Sequence, residues 1–71
     1  MFIFTEHREY KNKIEQYPII IEKPDINDLK EIRKKTCLGY YFCKLLRQRT
    51  NSSQEAINLH YKITMELINR S

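Results

Sequence analysis

The sequence predicts a mainly α-helical single domain, an antiparallel helical hairpin (about 26–49 and 53–69) preceded by a small N-terminal β-ribbon or extended arm (1–24). Three observations predict this fold. The chain has 71 residues, which is enough for one domain. Apolar residues beyond Pro24 recur at spacings of three and four, which is typical of helices. Helix-capping residues stand at the start of each proposed helix, at Asp25 and Ser52.

The N-terminal segment has two short runs that resemble strands. Residues 2–4 are Phe-Ile-Phe, and residues 17–22 contain three consecutive isoleucines, which are β-branched and favour strands. Pro18 restricts the second run to an edge strand or to a strand start. The charged residues 6–16 between the two runs are compatible with a turn of helix or a long loop. We therefore expect a two-stranded ribbon packed against the helices.

The first helix of the hairpin is expected to run without interruption over residues 26–49. Asp25 follows a proline and is placed to cap the first turn, and Asp28 favours the positive end of the helix dipole. Gly39 opposes the prediction by up to about 1 kcal/mol, and the aromatic residues after it would also suit a strand. Charged residues at helical spacing on both sides favour the helix, which would be roughly 36 Å long.

The second helix has a clearer start. Ser52 and Glu55 have the spacing of a capping box, in which each side chain bonds the other residue's backbone amide. The helix is expected over about 53–69. The short polar link before it favours an antiparallel hairpin.

The excess positive charge lies in the first helix. The net charge is +4, and residues 25–49 carry seven basic and three acidic side chains, which accounts for all of it. On a helical wheel one face collects basic and tyrosine side chains, with Cys37 and Gln48 beside them. The predicted nucleic-acid-binding residues are Lys30, Arg33, Lys34, Tyr40, Tyr41, Lys44 and Arg47.

This row indicates a nucleic-acid surface, because basic side chains neutralise phosphates and tyrosines stack on unpaired bases. Two other interpretations stay open: the row is a solvated outer face, or it docks on an acidic protein. The sequence contains no helix-turn-helix glycine turn, no zinc-finger spacing and no aromatic ribonucleoprotein motif.

The second helix is apolar around most of its circumference, which predicts burial on more than one side. One stripe is expected to pack on the first helix. The other is expected to form a protein-partner or homodimer interface, and consists of Ile57, Tyr61, Met65 and Ile68. The alternative is that the N-terminal ribbon covers this stripe within the monomer.

Catalytic and metal-binding patterns are absent from the sequence. It has no glycine-rich phosphate loop, no serine elbow and no His-Glu-x-x-His motif. His60 lies among apolar residues and is interpreted as a hydrogen-bonded core histidine. Cys37 and Cys43 are six residues apart, so in a continuous helix they would point to different sides and could not bind one metal ion. We interpret them as buried reduced thiols. We expect no enzyme activity, metal, cofactor or small-molecule substrate.

A cytoplasmic location is predicted because no signal peptide is recognisable and residues 37–43, the longest uncharged apolar run, are too short to span a bilayer. The function predicted from these observations is that of a small basic regulatory or accessory protein. It would contact nucleic acid or a nucleoprotein machine through the basic row. The alternative is a protein-interaction module, an inhibitor or a small subunit, that uses the apolar second helix.

Overall fold

The computed structural model describes the backbone of residues 4–69 and the side chains of residues 8–69. Four helices follow one another: α1 (Phe4–Glu15), α2 (Ile26–Thr36), α3 (Tyr40–Gln48) and α4 (Ser53–Asn69). α4 packs against all three other helices, and α3 also packs against α1 and α2. The mainly helical class is confirmed, whereas no strand occurs between residues 4 and 69.

The predicted N-terminal ribbon is wrong in the part of it that the structure describes. Phe2 and Ile3 lie outside the described residues, and a helix, α1, begins at Phe4. Tyr10 and Ile14 lie one turn apart in α1 and are both fully buried, so the helix has an apolar side that packs on the core. α1 ends at Glu15, shortly before Pro18, since a proline disfavours helical backbone in the residue before it.

Residues 17–22 form an irregular segment instead of the second predicted strand. The backbone amides of Ile20 and Ile21 both donate to the carbonyl of Gln48, at 2.6 and 3.0 Å. The side-chain amide of Gln48 donates in return to the carbonyl of Glu22, at 2.8 Å. The segment thus bonds to the end of α3, where helix carbonyls lack partners within the helix, and not to a neighbouring strand.

The continuous helix over 26–49 is also wrong, because the helix is interrupted between Thr36 and Tyr40. Cys37 has a left-handed backbone (φ 63°, ψ 18°), and its amide donates to the carbonyl of Arg33 at 2.7 Å. Along a straight helix Ile32 and Leu46 would lie roughly 21 Å apart. The interruption folds α3 back onto α2, so that both residues are fully buried in one core.

The two predicted helix starts are confirmed. The Asp25 carboxylate accepts the amide of Asn27 at 2.8 Å and caps α2. The Ser52 hydroxyl accepts the amide of Glu55 at 3.2 Å, as expected for a capping box. The Glu55 carboxylate accepts the amide of Asn51 at 3.2 Å, one residue earlier than that motif prescribes.

All four helices contribute to a single hydrophobic core. Its buried members are Tyr10, Ile14, Leu29, Ile32, Cys43, Leu45, Leu46, Ala56, Ile57, Leu59 and Ile63. The buried His60 is a hydrogen-bonded core histidine, as predicted, because its Nδ1 and the hydroxyl of Tyr10 share a hydrogen bond. N-terminal residues therefore do cover part of α4 within the monomer, as a helix and not as a ribbon.

Candidate nucleic-acid interface

The interruption at residues 37–39 places a cation of α2 against a tyrosine of α3. The guanidinium of Arg33 lies 4.9 Å from the ring centroid of Tyr40. Arg33 is in the last turn of α2 and Tyr40 is the first residue of α3, and both are exposed. A cation over an aromatic ring is attracted by the ring quadrupole. The contact therefore joins the basic end of α2 to the aromatic start of α3.

Tyr41 is supported by a second set of contacts. Its ring packs edge-on against Phe42, with centroids 5.4 Å apart, and Phe42 packs in the same way against the buried Tyr10 at 5.6 Å. The ammonium of Lys11, from α1, lies 5.8 Å from the Tyr41 centroid. Tyr41 is thus held on the core through Phe42 and has a lysine beside it. Edge-on aromatic pairs of this kind favour one ring orientation.

Most of the predicted basic row lies on the outside of the molecule, divided between two helices. Six residues are exposed and define what we term the basic-aromatic surface, together with Lys11 of α1. The six are Lys30, Arg33, Lys34, Tyr40, Tyr41 and Lys44. Lys11 was missed by the sequence interpretation, because residues 6–16 were not assigned to a helix and nothing placed them near α3.

Arg47 is the predicted site residue that does not join this surface. Its side chain is only 13% exposed, and its Nε lies 3.1 Å from a carboxylate oxygen of Asp28. Its Nη1 donates to the carbonyl of Thr50 at 2.7 Å. The second Asp28 oxygen accepts from the hydroxyl of Ser53 at 3.0 Å. Arg47 therefore helps to link α2, α3 and α4.

The connection between α2 and α3 has the connectivity of a helix-turn-helix unit, two helices joined by three residues. The sequence has no glycine at the left-handed position of this turn, because Cys37 occupies it. Gly39 has an extended backbone (φ −66°, ψ 160°) that any residue adopts, and it caps α3 without a side chain. The turn was not predicted because the residue in its left-handed position is not the glycine by which such turns are recognised.

The two cysteines differ in environment. Cys37 is exposed and Cys43 is buried, so the prediction of two buried thiols holds only for Cys43. Burial raises the pKa of the Cys43 thiol, which the nearby Arg33 partly opposes. The protonated thiol lies 3.6 Å from the carbonyl of Leu38, within the turn.

The predicted partner stripe on α4 is divided by the fold. Ile57 is only 5% exposed and belongs to the core. Tyr61, Met65 and Ile68 are 52%, 55% and 61% exposed. These three residues are spaced by four and three, so they share one side of the helix, and we term them the α4 apolar face.

A separate open groove of about 290 Å³ lies beside the start of α4. Tyr17, Arg49, Leu59 and Lys62 are among its lining residues. The Arg49 guanidinium donates to the carbonyls of Tyr17 and Leu45, at 3.1 and 3.0 Å, so its hydrogen bonds stabilise the fold. None of the predicted site residues lines this groove.

Between residues 4 and 69, no helix combines the length and apolar character needed to cross a membrane. No protein-family model, no curated protein and no solved structure matches this chain. Its function is therefore inferred from its own residues.

Proposed function

We propose that this chain is a small regulatory or accessory protein of the cytoplasm that binds nucleic acid, free or within a nucleoprotein machine, through the basic-aromatic surface. It acts by binding and not by catalysis. The observation that carries the proposal is the contact of Arg33 with Tyr40, because it brings a cluster of cations beside exposed aromatic side chains. Phosphates bind the cations, and each neutralised phosphate releases a counterion.

The distribution of charge supports the same function. Residues 25–49 have a net charge of +4, while the rest of the chain sums to zero. Asp28, one of the three acidic residues in that segment, is paired with Arg47 and hydrogen-bonded by Ser53. Lys30, Arg33 and Lys34 lie along one side of α2, and Lys44 lies one turn beyond Tyr40 on α3. Arg33 thus has Lys30 and Lys34 beside it on α2 and contacts the helix that carries Lys44.

A charge-reversal experiment tests the proposal. The double variant Lys34→Glu/Lys44→Glu is expected to abolish binding to labelled DNA and RNA oligomers, measured by fluorescence anisotropy at roughly 50 mM salt. The matched control is Lys23→Glu/Lys62→Glu, which reverses two exposed lysines outside the surface. Both double variants lower the net charge from +4 to zero, since each reversal removes two charges.

The two double variants separate a local surface from a general effect of charge. The proposal is supported if the control variant binds the oligomers with nearly the affinity of the unmodified chain and the surface variant does not bind them. Equal losses of affinity in both variants would show that binding depends on net charge and not on this surface. No binding of any oligomer by the unmodified chain would remove the proposal and favour a solvated outer face.

A second candidate function is protein interaction, as an inhibitor or a small subunit, through the α4 apolar face. The observation that favours it is the exposure of three large apolar side chains on one side of a single helix. Met65→Glu is expected to abolish association with a protein partner or a second copy. Lys44→Glu is the control on another helix, and the solution mass of each variant measures self-association.

A further inference from the structure

We infer that the nucleic acid bound by this chain is duplex DNA, and that α3 is the helix that enters its major groove. The inference rests on the proposed function and deepens it, because it names the ligand class and the element that contacts the bases. Four features support it: the turn between α2 and α3, the sorting of side chains on α3, the length of α3 and the cations beside its tyrosines.

The turn between α2 and α3 is tight and held in place. The Cys37 amide donates to the carbonyl of Arg33 at 2.7 Å, and the amide of Leu38 donates to the hydroxyl of Thr36 at 3.3 Å. Leu38 also packs against the core. These contacts fix how α3 leaves α2, as a helix-turn-helix unit requires if its second helix is to be presented to DNA.

The side chains of α3 are sorted between the core and solvent. Cys43, Leu45 and Leu46 are buried. The exposed side chains in the first half of the helix are Tyr40, Tyr41 and Lys44. In helix-turn-helix proteins the N-terminal residues of the second helix contact base edges. A lysine donates to guanine O6 and N7 in the major groove, and tyrosine hydroxyls donate to phosphates.

The length and charge of α3 also suit a groove. Its nine residues span roughly 14 Å at 1.5 Å per residue, close to the roughly 12 Å width of the B-form major groove. The helix contains no acidic residue, so nothing on it repels the phosphates that line the groove. A helix of this size reaches the base edges along a few base pairs.

The cations beside the tyrosines favour a duplex over a single strand. Binding a single strand depends on bases stacking on free aromatic faces. Arg33 lies over the ring of Tyr40, and Lys11 lies over the ring of Tyr41, so a stacked base would have to compete with them. These two cations come from α2 and α1, and they flank the start of α3. We expect them to contact phosphates that border the groove occupied by α3.

The experiment compares three labelled ligands of the same sequence and length: a DNA duplex of about two helical turns, the corresponding RNA duplex and single-stranded DNA. Affinities are measured by fluorescence anisotropy at low salt with the unmodified chain. The A-form major groove of RNA is too deep and narrow for a helix, so the DNA duplex is expected to bind at least about 10-fold more tightly than the RNA duplex. The same preference is expected over the single strand.

A variant and a competitor test the role of α3. Lys44→Gln is expected to weaken binding to the DNA duplex by roughly 10-fold, as loss of one base contact does, while Lys23→Gln leaves it unchanged. Methyl green, which occupies the major groove, is expected to displace the chain, whereas netropsin, which occupies the minor groove, is not. Displacement by netropsin alone would overturn the placement of α3.

The outcomes distinguish the inference from the proposed function on which it rests. Equal affinity for all three ligands would overturn duplex recognition and leave nucleic-acid binding in place. Preference for the single strand would do the same and would favour stacking on the tyrosines. No binding of any ligand would remove both proposals.

Discussion

At the scale of single residues, the direction of α3 depends on the backbone of Cys37. This residue has a φ of 63°, in a region that costs an ordinary L-residue roughly 1 kcal/mol or more and that glycine adopts freely. Its side chain is exposed, so it contributes little packing to offset that cost. Two hydrogen bonds hold the backbone there: the Cys37 amide donates to the Arg33 carbonyl, and the Leu38 amide donates to the Thr36 hydroxyl.

Cys37→Gly is expected to stabilise the protein by about 0.5–1 kcal/mol, because it removes the strain and loses no buried surface. The free energy of unfolding is measured by urea denaturation. Cys37→Val is the opposing variant and is expected to destabilise, since a β-branched side chain fits this conformation worst.

A second residue-scale feature is the buried pair of Tyr10 and His60. Burial lowers the pKa of the His60 imidazole and raises the pKa of the Tyr10 hydroxyl, so both groups are neutral in the folded chain. The Tyr10 hydroxyl and His60 Nδ1 are hydrogen-bonded to each other, so both neutral groups have a partner in the core. In acid the unfolded His60 gains a proton at a higher pH than the folded one, and in base the unfolded Tyr10 loses its proton at a lower pH than the folded one.

Burial also raises the pKa of the Cys43 thiol, so stability is expected to be highest between about pH 7 and pH 8.5. Below about pH 6.5 the unfolded imidazole binds a proton that the folded one does not, so the free energy of unfolding decreases as pH falls, by up to about 1.4 kcal/mol per pH unit. Above about pH 8.5 the unfolded Cys43 thiol ionises while the folded one stays protonated, and above about pH 10 the same holds for Tyr10, so stability decreases as pH rises.

Urea denaturation at a series of pH values measures this dependence. His60→Gln is expected to lose the acidic part of it, and His7, present in both proteins, cancels from the comparison. If the free energy of unfolding of His60→Gln depended on pH between pH 5 and pH 7 as steeply as that of the unmodified chain, His60 would not be the cause of the loss of stability at acid pH.

At the scale of elements, Asp28 connects three helices. It lies in the first turn of α2, pairs with Arg47 near the end of α3 and accepts a hydrogen bond from Ser53 at the start of α4. The Arg47 side chain is 13% exposed and that of Asp28 is 32% exposed, so solvent screens this pair less than a surface pair. Asp28 was predicted only as a favourable charge at a helix start.

Asp28→Asn is expected to destabilise the fold by about 1–2 kcal/mol, because it removes the charge that pairs with a partly buried guanidinium. Thermal and urea unfolding measure the change. Glu15→Gln is the matched control, since it breaks the exposed pair of Lys11 and Glu15 on α1, where a few tenths of a kcal/mol are expected. Equal effects in the two variants would remove the connecting role of Asp28.

At the scale of the whole molecule, four short helices share one small core. A domain of this size is stabilised by roughly 4–10 kcal/mol in total, so the loss of one well-packed side chain takes a large share. Ile32 and Leu46 are fully buried and come from opposite sides of the turn at Cys37. Packing in the core therefore stabilises the turn, and the turn sets the direction of α3.

Ile32→Ala is expected to cost about 2–5 kcal/mol and to leave the chain partly unfolded at 37 °C. Circular dichroism during thermal unfolding measures the loss. Ile20→Ala is the matched control, because the same atoms are removed from an exposed side chain and the change is expected within about 0.5 kcal/mol. Similar losses in both variants would contradict the placement of Ile32 in the core.

Several features were predictable from the sequence because they depend on neighbours in the chain. The caps at Asp25 and Ser52 are hydrogen bonds over two or three residues, and both are confirmed. α1 was not predicted, because its apolar side consists of few residues, such as Tyr10 and Ile14, within a charged stretch. Aromatic and β-branched residues at 2–4 and 17–22 favoured strands, but no partner strand occurs between residues 4 and 69.

The sequence by itself determined the helical class, the starts of α2 and α4 and the concentration of positive charge between residues 25 and 49. Only the tertiary structure decided that the chain turns at Cys37, that Arg47 pairs with Asp28 and that Lys11 lies beside Tyr41. The reason is physical: capping follows from local hydrogen bonds, whereas the left-handed backbone of Cys37 costs energy locally, and the core shared by Ile32 and Leu46 offsets that cost. The candidate interface depends on that second kind of interaction.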